Sequence, residues 1–282
     1  WGAWVDHHQG YGGAALAVPQ REAVPVFVRA PRAAAGWAWT AALAMAMGAA
    51  LVQGEYSRSL GEELMVMLLL GLSLQLMMAL GGLVSFGHAA FFALGAYGAA
   101  LAHLHGGWGL LPALAAGVAL AVAVAAVFAL VLTRLSGVYL AMLSLALAQL
   151  VWAGASQWVG LTGGDNGLIG LQLVPEAARD ALGWGLLALV LVAVGLLSRW
   201  SASSRGAALQ ALRDAPQRAA ASGLPVRWLR YQVFVQSAAL AGLAGGLWAA
   251  VKGAVFPSAA SVATSVDALL VILLGGVHQL WG

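Results

Sequence analysis

The sequence predicts an all-α, polytopic membrane protein, and three observations predict it. Hydrophobic residues make up 62% of the chain and charged residues only 8%, where a soluble domain carries about a quarter charged. Apolar runs approach or exceed the roughly 20 helical residues needed to cross about 30 Å of hydrocarbon. Basic residues gather in every second connection between those runs, as they do where short loops alternate across a bilayer. About eight membrane-embedded segments result: 36–52, 64–84, 89–103, 108–132, 137–158, 182–197, 232–251 and 266 to the end.

Residues 1–35 precede the first run. They hold Pro19, Pro25 and Pro31 and no helical period, so they read as a soluble or surface-lying lead-in. His7 and His8 stand there without a third ligand, which makes a solvated tail the plainer reading than half a metal site. Trp37 and Trp39 open the first run as interfacial anchors, and Trp108, Trp152, Trp158, Trp184, Trp200 and Trp248 fall near helix ends or a turn inside them. Gln75, Gln149 and Gln236 each sit inside an apolar run. A buried amide needs partners, so each glutamine is expected to bond another helix or to face a cavity.

The third run is short and reads as a span that is re-entrant or partly unwound. Its Ala89, Ala93, Ala96 and Ala100 recur at i, i+4, i+7 and i+11, a smooth stripe along which another helix can approach closely. The stretch "SFGHAAFFALGAYGA" that contains it has two readings. One is tight helix packing, with His88 satisfied near the arginine-rich end by a carbonyl or water. The other is a glycine-rich, partly polar backbone lining a pathway, because irregular backbone at membrane depth survives only inside protein or beside water.

After the runs 108–132 and 137–158 comes "VGLTGGDNGLIGL", whose Gly163-Gly164 and Asp165-Asn166-Gly167 make compact reversals. It lacks the regularly spaced oxygen ligands of a calcium site. Beyond the run 182–197, residues 201–228 carry two short amphipathic helices. Ser203 or Ser204 caps the first, Ala208, Leu209 and Leu212 share its apolar face, and Pro216 breaks it; the second ends at Gly223 before Pro225. Such helices either lie on the lipid surface or dock into a partner's groove. The last two runs place Lys252 at a helix end and Asp267 at a helix start, so no span holds a charge well away from both ends. That weighs against a proton- or sodium-coupled carrier.

If every run crosses once, one side holds Arg21, Arg29, Arg32, Arg134, Arg199, Arg205, Arg213, Arg218, Arg227 and Arg230. The other holds only Arg58, Arg179 and Lys252, with Glu55, Glu62, Glu63, Asp165, Glu176 and Asp180. The first side is then cytoplasmic. The net charge of +3 therefore marks a membrane side and not a nucleic-acid partner. No cysteine is present, which excludes disulfides and thiol chemistry. Ser85 and His88 stand three apart without a serine-nucleophile motif, facing histidine pairs for haem are lacking, and no phosphate-binding glycine loop with its lysine occurs.

In order, "GLVSFGHAAFFALGAYGAAL", "GVYLAMLSLALAQLVW", "LTGGDNGL", "RGAALQALRDAPQRAAASGLPV" and "LLVILLGGVHQLWG" resemble the LivM-type permease of branched-chain amino acid ABC importers, from about Leu64 to Gly282. The resemblance implies a transmembrane domain over 36–282, in the bacterial inner membrane, that is not itself an enzyme. Implied partners are a second homologous permease, two cytoplasmic ATPases, an extracytoplasmic solute-binding protein and membrane lipid. This chain would bind no cofactor; ATP and Mg would sit on the ATPases. Ser85, Gly87, His88, Phe91, Phe92, Tyr97, Tyr139 and Gln149 would belong to the translocation path or its border.

The coupling segment would be 199–231, with Leu209, Leu212, Arg213, Asp214, Arg218, Ala219, Ala220 and Gly223 toward the ATPases. Aspartate at Leu209 and Leu212 is expected to abolish ATPase association without unfolding the spans. Gly163, Gly164, Asp165 and Asn166 would face the binding protein. Ala215-Pro216 stands where relatives commonly carry Asn-Glu, and relatives continue past "GGVHQLWG" into a Gly-Pro turn and a further helix, which leads us to expect a fragment lacking its C-terminal part. The rival readings are a permease of the related urea or sugar importers, an independent secondary carrier, and an intramembrane hydrolase using Ser85 and His88.

Overall fold

The computed structural model describes residues 33–135 and 137–275, with side chains described between residues 40 and 273. The lead-in up to residue 32, with His7, His8, Arg21, Arg29 and Arg32, and the closing "GVHQLWG" lie outside the described residues. So do the side chains of Trp37 and Trp39.

The described residues are mostly helical. The helices are α1 (Ala33–Val52), α2 (Glu55–Gln75), α3 (His88–Gly106), α4 (Leu110–Leu132), α5 (Val138–Gln157), α6 (Val159–Thr162), α7 (Arg179–Ser201), α8 (Ser204–Asp214), α9 (Pro216–Ala221), α10 (Val226–Lys252) and α11 (Val262–Gly275). Each of the eight apolar runs falls largely on a helix over its described residues. Among the described residues five helices are long and apolar enough to cross a membrane: α2 with a π turn (Leu76–Leu80) that continues it, α4, α5, α7 and α10. Two-residue strands β1 (Leu168–Ile169) and β2 (Ala254–Val255) form one antiparallel pair, with Leu168 opposite Val255.

Close packing of small residues holds the centre. Lipid tails are as apolar as leucine side chains, so helices in a bilayer associate where backbones can approach. The alanine stripe of α3 does this: Ala89, Ala93, Ala96 and Ala100 are fully buried. At Gly95 a side chain would land on the Gly242 carbonyl of α10, and at Gly245 on the Phe92 carbonyl of α3. α3, α4 and α10 pack on one another, α2 joins through α10, and α1 lies on α2 and α7.

Among the described residues, the ion pairs between different helices join residues that the alternation places on one side. At the acidic end Arg58 pairs with Asp180, Lys252 Nζ donates to Glu63 Oε2 at 2.7 Å, and β1 meets β2. At the arginine-rich end α8 packs on the end of α2. The amphipathic helices form as the sequence predicts. Ser203 Oγ accepts from the Gly206 N–H at 3.3 Å, which caps α8, and Pro216 opens α9. Gly223, at φ +79°, turns the chain toward α10.

Two expectations are corrected. Asp267 is not at a helix start. Ser261 Oγ accepts from the Thr264 N–H at 3.4 Å, which starts α11 at Val262 and leaves Asp267 exposed in its second turn. His88 is not near the arginine-rich end of the bundle. It contacts Ser237, eleven residues into α10, a depth of about 16 Å at 1.5 Å per residue.

Candidate functional site

The site is built around a break in the helical ladder. α2 ends in the π turn, the chain runs non-helically from Gly82 to Gly87, and α3 starts inside the bundle. Backbone freed from helical bonding at this depth must find partners in protein. Serines supply them. Ser144 Oγ of α5 accepts from the Phe86 N–H at 3.1 Å, Ser85 Oγ from the Gly87 N–H at 3.3 Å, and Ser265 Oγ of α11 from the Ala89 N–H at 3.0 Å. Gly87 lies so close to Ser144 that any side chain would strike its backbone.

His88 sits at the centre of this break. Ser73 Oγ donates to the Leu70 carbonyl at 2.6 Å, and Ser237 Oγ donates to the Ser73 carbonyl at 2.5 Å. Each hydroxyl has a single proton, so both can only accept from His88 Nε2, at 2.8 and 3.2 Å. That fixes the Nε2–H tautomer. Nδ1 is then a bare acceptor, buried and without a partner among the described residues. One imidazole thus ties α2, α3 and α10 together at the point where the helices are interrupted. Phe91 extends the contact, its ring 5.5 Å from Phe234 of α10 and at right angles to it.

The other half of the site joins this break to the arginine-rich end. The Ala79 carbonyl, in the π turn, has lost the helical N–H that would have bonded it, because the chain departs at Gly82. Arg213 Nη1 of α8 donates to it at 2.5 Å, while Arg213 Nε donates to Asp214 at 2.8 Å. Gly82 makes room: its φ is +62°, and a Cβ there would stand 2.8 Å from Arg213 Cγ. Leu209 and Leu212 seat the same helix, with 1% and 0% exposure.

The structure sorts the residues singled out in the sequence. Ser85, Gly87, His88, Phe91, Phe92 and Tyr97 are all buried, Tyr97 in a separate apolar cluster from Phe91 and Phe92. Tyr139 and Gln149 do not join them; they are exposed on α5. Gln75 is buried, whereas Gln236 is exposed on α10.

Of the residues expected to couple to ATPases, Leu209, Leu212 and Ala219 are buried and Arg213 bonds the Ala79 carbonyl. Asp214, Arg218, Ala220 and Gly223 are exposed. At the acidic end Gly163 and Gly164 turn the chain at positive φ, and Asp165 and Asn166 are exposed above β1. Among the described residues no three His, Asp or Glu side chains gather as a metal site.

Sequence reasoning missed Ser73, Ser144, Ser237 and Ser265. For Ser73, Ser144 and Ser237 the only signal was a hydroxyl inside an apolar run, weaker than the glutamines that drew notice, and Ser265 stands just before the last run. The Arg213–Ala79 contact had no local signal.

Comparison with known proteins follows the same segment of chain. The permease protein LivM of the high-affinity branched-chain amino acid transport system of Escherichia coli (strain K12) is 31% identical over 76% of this chain and 57% of its own length. Its counterpart from Salmonella typhimurium (strain LT2) is 30% identical over the same shares. The chain thus spans a little over half the length of these relatives. No solved structure gives a significant match. The family described as branched-chain amino acid transport system, permease component, matches residues 62–282, and the chain belongs to that family.

Proposed function

We propose that this chain is a transmembrane subunit of an ATP-driven importer of branched-chain or other apolar amino acids, working by alternating access and powered by separate ATPases. The observation that carries the reading is the family match across residues 62–282. It supports a system that includes a second homologous permease, two cytoplasmic ATPases holding ATP and Mg, and an extracytoplasmic solute-binding protein. The location is the bacterial inner membrane, with the arginine-rich end cytoplasmic.

The geometry supports a mechanism for residues 199–231. α8 and α9 present Arg205, Asp214, Arg218 and Ala220 outward, a polar face suited to the ATPases. On its inner side α8 holds the Ala79 carbonyl through Arg213. A movement of α8 is thereby passed to the π turn, to the non-helical segment 82–87 and to the start of α3 at His88. Coupling of this kind is linkage: nucleotide state and path conformation bias the same two-state element.

The exposed face of α5 belongs to the path or its second wall. Gln149 lies about 16 Å from the start of α5 at 1.5 Å per residue, and an amide at that depth facing lipid tails would lack partners. We place the second permease or the substrate path against it, with Tyr139 nearer the cytoplasm. Asp165 and Asn166 would meet the binding protein.

The test is uptake of labelled leucine, isoleucine and valine into proteoliposomes holding the full-length protein with its partners. The proposal predicts accumulation only with ATP on the ATPase side and binding protein on the other. Uptake without ATP, or uptake of urea or sugars alone, would overturn it.

A further inference from the structure

A cavity of about 470 Å³ opens near the acidic end, between α2, α3, α10 and the chain leading into α11. It falls within the size range of small-molecule sites. One part is apolar: Met67, Phe92, Trp248 and Phe256 line it, with the Phe92 and Trp248 rings 6.0 Å apart. Its rim is charged. Lys252, one turn beyond Trp248, stands 4.9 Å over the indole and 2.7 Å from Glu63, which is itself one turn from Met67. The hydroxyl residues Ser258, Ser261 and Thr264 complete the wall.

We propose that this cavity binds a compact zwitterion bearing an apolar group, namely an α-amino acid with an apolar side chain. The proposal rests on the permease reading above and adds to it a binding site on the chain itself. The carboxylate meets Lys252, the ammonium meets Glu63, and the side chain lies against Trp248, Phe92 and Met67.

Three features carry the assignment. Lys252 and Glu63 are 39% and 35% exposed, and partly exposed pairs of this kind contribute little to stability. Separating them to admit a ligand's two opposite charges exchanges one weak ion pair for two. The indole face keeps Lys252 in place while Glu63 turns to the ammonium. Finally, Phe92 is one turn along α3 from His88, so the cavity points from the acidic end toward the break. A zwitterionic lipid headgroup offers the same two charges, and the test separates the two sources.

The experiment is equilibrium binding of tritiated L-leucine to the full-length protein, assembled with its partner permease and ATPases in nanodiscs, without binding protein or nucleotide. Uptake by the complete system is measured in parallel. The proposal predicts saturable binding that L-isoleucine displaces and that 4-methylpentanoate and isopentylamine, each lacking one charge, do not. Lys252→Met and Trp248→Ala should each weaken it at least tenfold, and phosphatidylethanolamine in the disc should leave it unchanged. Glu63→Gln, which keeps Lys252 in place, gives the same readout if Lys252→Met fails to assemble.

Uptake without direct binding, or binding that ignores both charge substitutions, overturns the cavity and leaves the permease reading standing. Displacement by phosphatidylethanolamine assigns the cavity to lipid and also overturns it. Neither binding nor uptake of leucine overturns both.

Discussion

Replacing Arg213 with alanine should loosen α8 from the end of α2 and weaken the joint between α8 and the break. Ala79 is 3% exposed, and its carbonyl accepts a charged hydrogen bond of 2.5 Å from Arg213. Leaving a buried carbonyl unpaired costs about 1–3 kcal/mol. Taking about 2 kcal/mol, opening of the π turn becomes roughly 30-fold more frequent.

Amide exchange read by mass spectrometry on the full-length complex in nanodiscs reports that opening directly. Exchange over residues 76–83 should rise by about that factor, with ATP hydrolysis retained and uptake per ATP lowered. Gly82→Ala provides the cross-check. Its left-handed φ of +62° costs a side chain about 1–2 kcal/mol, and its Cβ meets Arg213 Cγ at 2.8 Å. In an Arg213→Ala background the Cγ contact is removed, while the 3.2 Å contact with Cβ and the dihedral cost remain, so the two substitutions should be non-additive. Unchanged protection over 76–83, or strict additivity, would refute the joint.

Other predictions follow from the same contacts. Ser237→Ala removes one acceptor from His88 and the donor to the Ser73 carbonyl; it should lower resistance to denaturation by about 1–3 kcal/mol, measured by titration with SDS. Gly245→Ala drives a methyl group into the Phe92 carbonyl and should shift the protein to aggregates in size-exclusion chromatography, since overpacking costs about 1–3 kcal/mol or more. Leu212→Asp buries a carboxylate and should free α8 to exchange, whereas Arg218→Glu, on the exposed face, should reduce ATPase co-purification with exchange in α8 unchanged. A cysteine placed at the exposed Gln149 and treated with a thiol-to-amine cross-linker should give a product with the second permease that the unsubstituted protein does not give.

Much of the fold was legible because membrane helices declare themselves by length and apolarity. Over the described residues each of the eight runs fell largely on a helix, and the cap at Ser203, the stop at Pro216 and the turn at Gly223 formed as local chemistry requires. What was not legible depends on contacts across the chain. The sequence pattern of α8 marks Leu209 and Leu212 as an apolar face, but nothing local says whether that face meets the chain's own bundle or a partner. The structure turns it inward. The depth of His88 could not be read either, because it follows from the unwound segment 82–87 and the serines that satisfy it. Asp267 was misplaced because a helix boundary was read from where the apolar run begins, while the cap at Ser261 starts the helix earlier.

We propose that the chain works as one part of an ATP-driven assembly. The most direct measurement is co-purification of the full-length protein from its native membrane, with its partners identified by mass spectrometry. We predict a second permease, two ATPases and, with ligand present, a solute-binding protein. A protein that purifies alone and accumulates amino acids in liposomes without ATP would contradict the account.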